Sequence, residues 1–167
     1  MRVRAGSEFS RGMTPSAEYY RVIMTTLRIF FALLILAGTA NAIPAAENPL
    51  ALIPLYEKAA SALSVDDLAA AKAAAQKLAA EAVRLHHAGI ADSAKTVTRA
   101  DDLADAREAF KTLSIEVVAL VRHTAGYFIL TCPMAQADWV QSTRAVANPY
   151  LGKDMLTCGE VKEETKG

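Results

Sequence analysis

Two cysteines and two methionines near the C-terminus, Cys132 with Met134 and Met155 with Cys158, are the residues of this chain best suited to chemistry. Pro133 disfavours helical geometry at Cys132, so Cys132-Pro133-Met134 reads as extended, and residues two apart in an extended chain point to one side. Leu151 to Leu156 reads as a helical turn after Asn148-Pro149, and there the three-residue spacing of Met155 and Cys158 gives them a common face. Two sulfur pairs can then close on one ion. Thiolates and thioethers together select soft ions, above all Cu(I) or Ag(I), whereas zinc sites use cysteine, histidine or carboxylate and hardly ever methionine. The candidate metal ligands are therefore Cys132, Met134, Met155 and Cys158.

The same cysteines support another reading. In an exported protein, two cysteines commonly form a disulfide, and a loop of this size is worth roughly 3 to 4 kcal/mol on the chain-entropy estimate. Methionine is also a common filler of core gaps. On spacing alone both readings stay open. Cys-x-x-Cys is absent, which argues against a thiol oxidoreductase of the usual kind, and so is the Cys-x-x-Cys-His of haem attachment. His86 and His87 fall where the second helix ends, a position that suits a cation on the helix dipole. His123 leads towards Cys132 as an auxiliary ligand, and Trp139 reads as a core anchor or as a cation-π cover for the ion.

Catalytic sets are missing. Asp66-Asp67 and Asp101-Asp102 read as first-turn helix charges rather than as an acid and base pair. There is no phosphate-cradling glycine loop, nucleophile elbow or paired metal-binding histidine motif. The chain is expected to bind rather than to catalyse.

The elements that must position these sulfurs read as helical. Ile53, Tyr56, Ala60 and Leu63 recur in steps of three and four, as do Leu68, Ala71, Ala75, Leu78, Ala82 and Leu85, and then Leu103, Ala106, Phe110, Leu113, Val117 and Leu120. Such stripes predict helices packed at shallow angles. Ser64 with Asp67 resembles a capping box for the second helix and Gly89 is placed to end it; Thr98 with Asp101 and Asp102 opens the third, which Gly126 can close. Pro54 leaves the start of the first helix late or kinked. From Tyr127 to Thr131 the chain reads as a short extended run, followed by turns around Pro133, Pro149, Gly152 and Gly159. The expected fold class is all-α: a three- to four-helix up-down bundle with an irregular, Cys/Met-containing C-terminal cap.

Arg28, the apolar run Ile29 to Ala37 and the small-x-small site Ala40-Asn41-Ala42 read as a signal peptide cleaved after Ala42, with an upstream extension before Met24. The run is too short for a membrane span, so no stable insertion of the mature chain is expected. Of the 18 basic and 18 acidic side chains, residues 1–42 carry Arg2, Arg4, Arg11, Arg21 and Arg28 against Glu8 and Glu18, so residues 43–167 hold 13 basic and 16 acidic groups. A slightly acidic domain with no basic stripe excludes nucleic acid as a partner. Residues 43–167 match one ordinary domain in size.

Cys132-Pro133-Met134-Ala135, Trp139, Asn148-Pro149-Tyr150-Leu151-Gly152 and Met155-Leu156-x-Cys158-Gly159-Glu160 together closely resemble an uncharacterised bacterial family of exported helical domains. Tyr56, Ala62-Leu63, Asp67, Arg107, Phe110 and Leu113-Ser114 fall in the same order, so the resemblance spans about residues 50 to 165. Members of that family occur alone or as the C-terminal extension of periplasmic adaptor subunits of copper/silver efflux pumps. The resemblance implies a periplasmic location, a copper/silver efflux component as partner, and a metal role for the four sulfurs in preference to a purely structural disulfide. In the metal reading, Pro133 and Gly159 are expected to shape the approach to the ion, and Asn148, Tyr150 and Trp139 to hold the cap on the bundle. No lipoyl-like or β-barrel part of an adaptor is recognisable in these residues.

Overall fold

Asn48 starts the first element: its side chain accepts a hydrogen bond from the Leu50 amide at 3.0 Å and opens a 3-10 turn, Pro49–Leu52, that runs into helix α1, Ile53–Ser64. The computed structural model describes residues 48–167, and the leader expected over residues 1–42 lies outside them. Pro54 falls in the first turn of α1, where its missing N–H would have no intrahelical partner, so no kink is needed. Helix α2, Leu68–Arg84, is capped by Asp67, which accepts from the Ala70 amide at 2.8 Å. Helix α3 is Ala88–Arg99, and α4, Leu103–Val121, is capped by Asp102 on the Asp105 amide at 2.9 Å.

Three of these helices follow the predicted stripes; α3 does not. Gly89 was expected to end α2, yet it lies inside α3, and the left-handed residue that terminates α2 is His86, with φ 59°. The apolar stripe of α3 consists of Ile90, Ala91, Ala94 and Val97, all buried, and is short because Gly89, Ser93, Thr96 and Thr98 interrupt it. Alanines form most of the buried face of α2, so its neighbours approach closely. Tyr56 and Phe110 stack at the centre of the bundle, 4.9 Å between ring centroids.

The all-α expectation is overturned. After α4 the chain forms β1, Phe128–Cys132, β2, Ala137–Gln141, and β3, Glu160–Glu164, in an antiparallel sheet of order β2-β1-β3. The fold is mixed α/β, with the bundle part as expected and a sheet where an irregular cap was read. β1 is the extended run that the sequence announced. β2 packs on α4 and buries Trp139 and Val140, while β3 is an exposed edge strand of sequence Glu-Val-Lys-Glu-Glu. Charges along an edge strand discourage pairing with another chain, and they also hide the strand from a hydrophobic pattern. The register places Leu130 opposite Trp139, Cys132 opposite Ala137 and Thr131 opposite Glu160.

Arg107 on α4 joins the bundle to the segment before β3. Its guanidinium donates to the Leu63 carbonyl at 3.0 Å, to the Pro149 carbonyl at 3.2 Å and to the Asp66 carboxylate. Asp66, itself left-handed with φ 60°, also accepts from the Lys153 amide at 3.3 Å. Gly152, with φ 69°, closes over this pair; a Cβ there would lie 2.1 Å from the Asp66 carboxylate. The hydrogen bond from Arg107 holds the Asp66 carboxyl below its usual range. A carboxyl depressed in the folded state stabilises fully above its unfolded value, about 4, and loses that contribution as pH falls through the folded value. Thermal unfolding followed from pH 6 downward should therefore show an acid-dependent loss of Tm that Arg107→Gln makes shallower; equal slopes in both proteins would contradict the role given to Arg107. Among the described residues, no helix is long and apolar enough to cross a membrane.

Candidate metal centre

Asn148 sets the geometry of the sulfur site from a fully buried position. Its Oδ1 accepts from the amides of Tyr150 at 2.7 Å and Leu151 at 3.2 Å, and its Nδ2 donates to the Cys158 carbonyl at 2.6 Å. Its own amide donates to the Leu156 carbonyl at 2.7 Å. One side chain thus folds residues 148–158 back on themselves and delivers Cys158 to the end of β1.

There three sulfurs meet. Cys132 Sγ and Cys158 Sγ are 3.6 Å apart as free thiols, and Cys158 Sγ is 3.8 Å from Met134 Sδ. Cys132, the last residue of β1, is 0% exposed; Cys158 is partly exposed, and Met134 is 64% exposed. The route differs from the one the sequence suggested. Pro133 to Gln136 make the β1–β2 hairpin turn, with the Gln136 amide donating to the Pro133 carbonyl at 3.3 Å, so Met134 reaches Cys158 from a turn rather than by alternation in a strand.

Met155 is the predicted ligand that does not join. It ends a 3-10 turn, Lys153–Met155, and its carbonyl accepts from the Cys158 amide at 3.0 Å. Its side chain is 39% exposed, and among the described residues no hydrogen bond links its thioether to the other sulfurs. Met155 and Cys158 are the two ends of one hydrogen-bonded turn through Leu156 and Thr157.

The two thiols are not equivalent. Burial opposes a charge on Cys132, but the Ala135 amide at 3.4 Å, the Asn148 side chain, the Cys158 thiol and the Met134 amide all donate towards its sulfur and hold the thiol below its ordinary value. Donation to Cys132 pushes Cys158 the other way, reinforced by burial and by the neighbouring charge. The two sulfurs stand within hydrogen-bond reach of each other, with Cys132 the better stabilised as an acceptor.

Gly159 and Trp139 confine it from behind. Gly159 has φ 129°, and a Cβ there would stand 2.7 Å from the Thr131 carbonyl and 2.8 Å from the Trp139 ring. Gly159→Ala should accordingly cost about 3 kcal/mol from backbone strain and overpacking together, read as a lower Tm; a variant melting with the wild type would show that this close approach does not constrain the fold. Trp139 is fully buried, donates from Nε1 to Gln141 Oε1 at 2.6 Å and meets Tyr150 edge-on. It is a core anchor.

Of the remaining candidates, His86 ends α2 and His87 opens α3. Among the described residues no three of histidine, cysteine, aspartate and glutamate cluster as a metal site would require, so the Met134 thioether is what supplies a third donor beside the thiols. Sequence reasoning missed a buried hydroxyl chain under the site. Tyr56 Oη lies 2.8 Å from Ser114 Oγ, Ser114 lies 3.0 Å from Tyr150 Oη, and Tyr150 donates to the Asp138 carbonyl at 2.6 Å. Burial raises both phenols well above their usual value, so they stay protonated and brace the sheet against α4. A cleft of about 390 Å³ runs beside the hairpin between Lys111, Ile115, Thr131, Pro133 and Asp138.

No curated protein and no solved structure is detectably similar to the chain. Residues 52–126, from the start of α1 to the turn before β1, match the model of a protein family of unknown function (DUF3347), a similarity that covers the four helices and stops short of the sulfur site.

Proposed function

We propose that the chain is a periplasmic module that binds Cu(I) or Ag(I) through Cys132, Cys158 and Met134, and that it sequesters the ion or delivers it to a copper/silver efflux component. The convergence of three sulfurs at 3.6 and 3.8 Å carries this reading. Three donors each about 2.3 Å from one ion, the metal–sulfur length of thiolate sites, stand about 4 Å apart when the ion lies in their plane. The two separations from Cys158 Sγ, to Cys132 Sγ and to Met134 Sδ, need to open by only a few tenths of an ångström. Two thiols and a thioether are also the donor set that soft monovalent ions prefer. The resemblance of residues 50 to 165 to domains found on efflux adaptors supports the partner, and the leader read in residues 1–42 supports the compartment. Met155 is not needed for a three-coordinate site.

Anaerobic titration of the reduced protein with Cu(I), against a chromophoric chelator, tests the reading. One equivalent of Cu(I) should be withheld from the chelator. No competition, in a protein whose two thiols are both free, would rule it out. The competing reading, a helical interaction domain stapled by a Cys132–Cys158 disulfide without metal, would instead show no free thiol in protein recovered from the oxidising compartment and no copper uptake after mild reduction.

A further inference from the structure

The structure assigns Cys158 as the entry point for thiol–disulfide exchange with a small or protein-borne disulfide, and Cys132 as the buried thiol that completes the exchange and closes the metal site. The inference rests on the proposed metal reading only for its second half, the effect on the ion.

Accessibility fixes the order of events. Cys132 is 0% exposed although it borders the hairpin cleft, so water does not touch it and an incoming disulfide has no line of attack on it. Cys158 is partly exposed and sits on the run Lys153–Leu156 to Gly159, whose first residues are all exposed. Its sulfur is therefore the one that a reagent meets. The second sulfur waits 3.6 Å from the first, on a residue that is itself fully buried.

The chemistry balances as two displacements. The Cys158 thiol gives up its proton to water and attacks one sulfur of a disulfide R–S–S–R; a new S–S bond forms at Cys158 and the first R–S⁻ leaves. Cys132 Sγ then attacks Cys158 Sγ, its proton passing to the departing sulfur, and the second R–S leaves as a thiol. The chain loses two electrons and the reagent gains them, with two thiols formed once the leaving groups take up the two protons. Closure requires the sulfurs to move from 3.6 Å to the bonded distance of about 2.0 Å. Cys158 lies on a segment exposed along one side, whereas Cys132 is fixed at the end of a paired strand, so Cys158 is the partner that moves.

The consequence is exclusive occupancy. An ion in the triangle needs both thiolates and wedges them apart, whereas the disulfide consumes both. Soft metal should protect the pair from exchange, and oxidation should expel the metal.

The full reduced chain is incubated with glutathione disulfide, with and without one equivalent of Ag(I), and quenched samples are read by intact mass. Cys132→Ser, with Cys132→Ala as a second version should serine disturb the strand end, should accumulate a stable glutathione adduct on Cys158. Cys158→Ser should take up glutathione on Cys132 at least about tenfold more slowly. The wild type should pass to the internal disulfide with little adduct. Equal rates in the two single variants, or adducts in the wild type that never resolve, would overturn the inference while leaving metal binding untouched. Exchange that proceeds in this order but is not slowed by Ag(I) would uphold the exchange and remove the metal reading.

Discussion

Replacing Cys132 with serine is expected to weaken Cu(I) binding on the order of a thousandfold, about 4 kcal/mol. The substitution is nearly isosteric, so the loss measures sulfur rather than shape. A serine hydroxyl is a hard donor that stays protonated near neutrality, and it leaves the ion with one thiol and one exposed thioether. The hydrogen bonds that stabilise charge at this position, from Ala135, Asn148, Met134 and Cys158, would then converge on a neutral oxygen. Graded controls make the result specific. Cys158→Ser should lose comparably, Met134→Leu should lose on the order of tenfold because only the weakest donor goes, and Met155→Leu should be silent. A Cys132→Ser protein that folds normally and competes for Cu(I) as the wild type does would remove the buried thiolate from the site.

The second large effect concerns the wall behind the sulfurs. Trp139→Ala should destabilise by about 4 kcal/mol, as large-to-small changes of buried aromatics do, and lower Tm by about 15 °C in a domain of this size. The indole fills the space between Gly159 and Tyr150, and its Nε1 holds Gln141. Gln141 in turn accepts from the Ala147 amide at 3.1 Å and donates to the Ala145 carbonyl at 2.8 Å, which sets the approach to Asn148. Removing the ring therefore loosens β2, the 142–147 loop and Cys158 together. Copper affinity should fall with stability, and Trp139→Phe should recover most of both. Wild-type Tm in Trp139→Ala would contradict the anchor role.

The helices were legible because α1, α2 and α4 carry long stripes in steps of three and four, and a buried stripe is the strongest mark a helix leaves on a sequence. α3 was not, since Ile90, Ala91, Ala94 and Val97 form too short a stripe and Gly89 looks like a stop. The sheet escaped for a similar reason. β1 has a run of apolar residues, but β3 is four charges around Val161, and its pairing with β1 is decided by the turn chemistry of residues 148–159 rather than by its own pattern. The residue types of the site could be read directly, and three of the four sulfurs do come together. Their route could not be read, because it depends on a hairpin turn at Pro133 and on the buried side chain of Asn148, ten residues from the carbonyl it holds. The Tyr56–Ser114–Tyr150 chain was equally invisible, its members being 58 and 36 residues apart.

X-ray absorption at the copper edge, on the reduced chain carrying one equivalent of Cu(I), tests the shared-ion geometry most directly. A shell of sulfur alone at about 2.3 Å, three atoms in the wild type and two in Met134→Leu, is the expected result. A shell dominated by nitrogen or oxygen, or a sulfur count that Met134→Leu leaves unchanged, would contradict it.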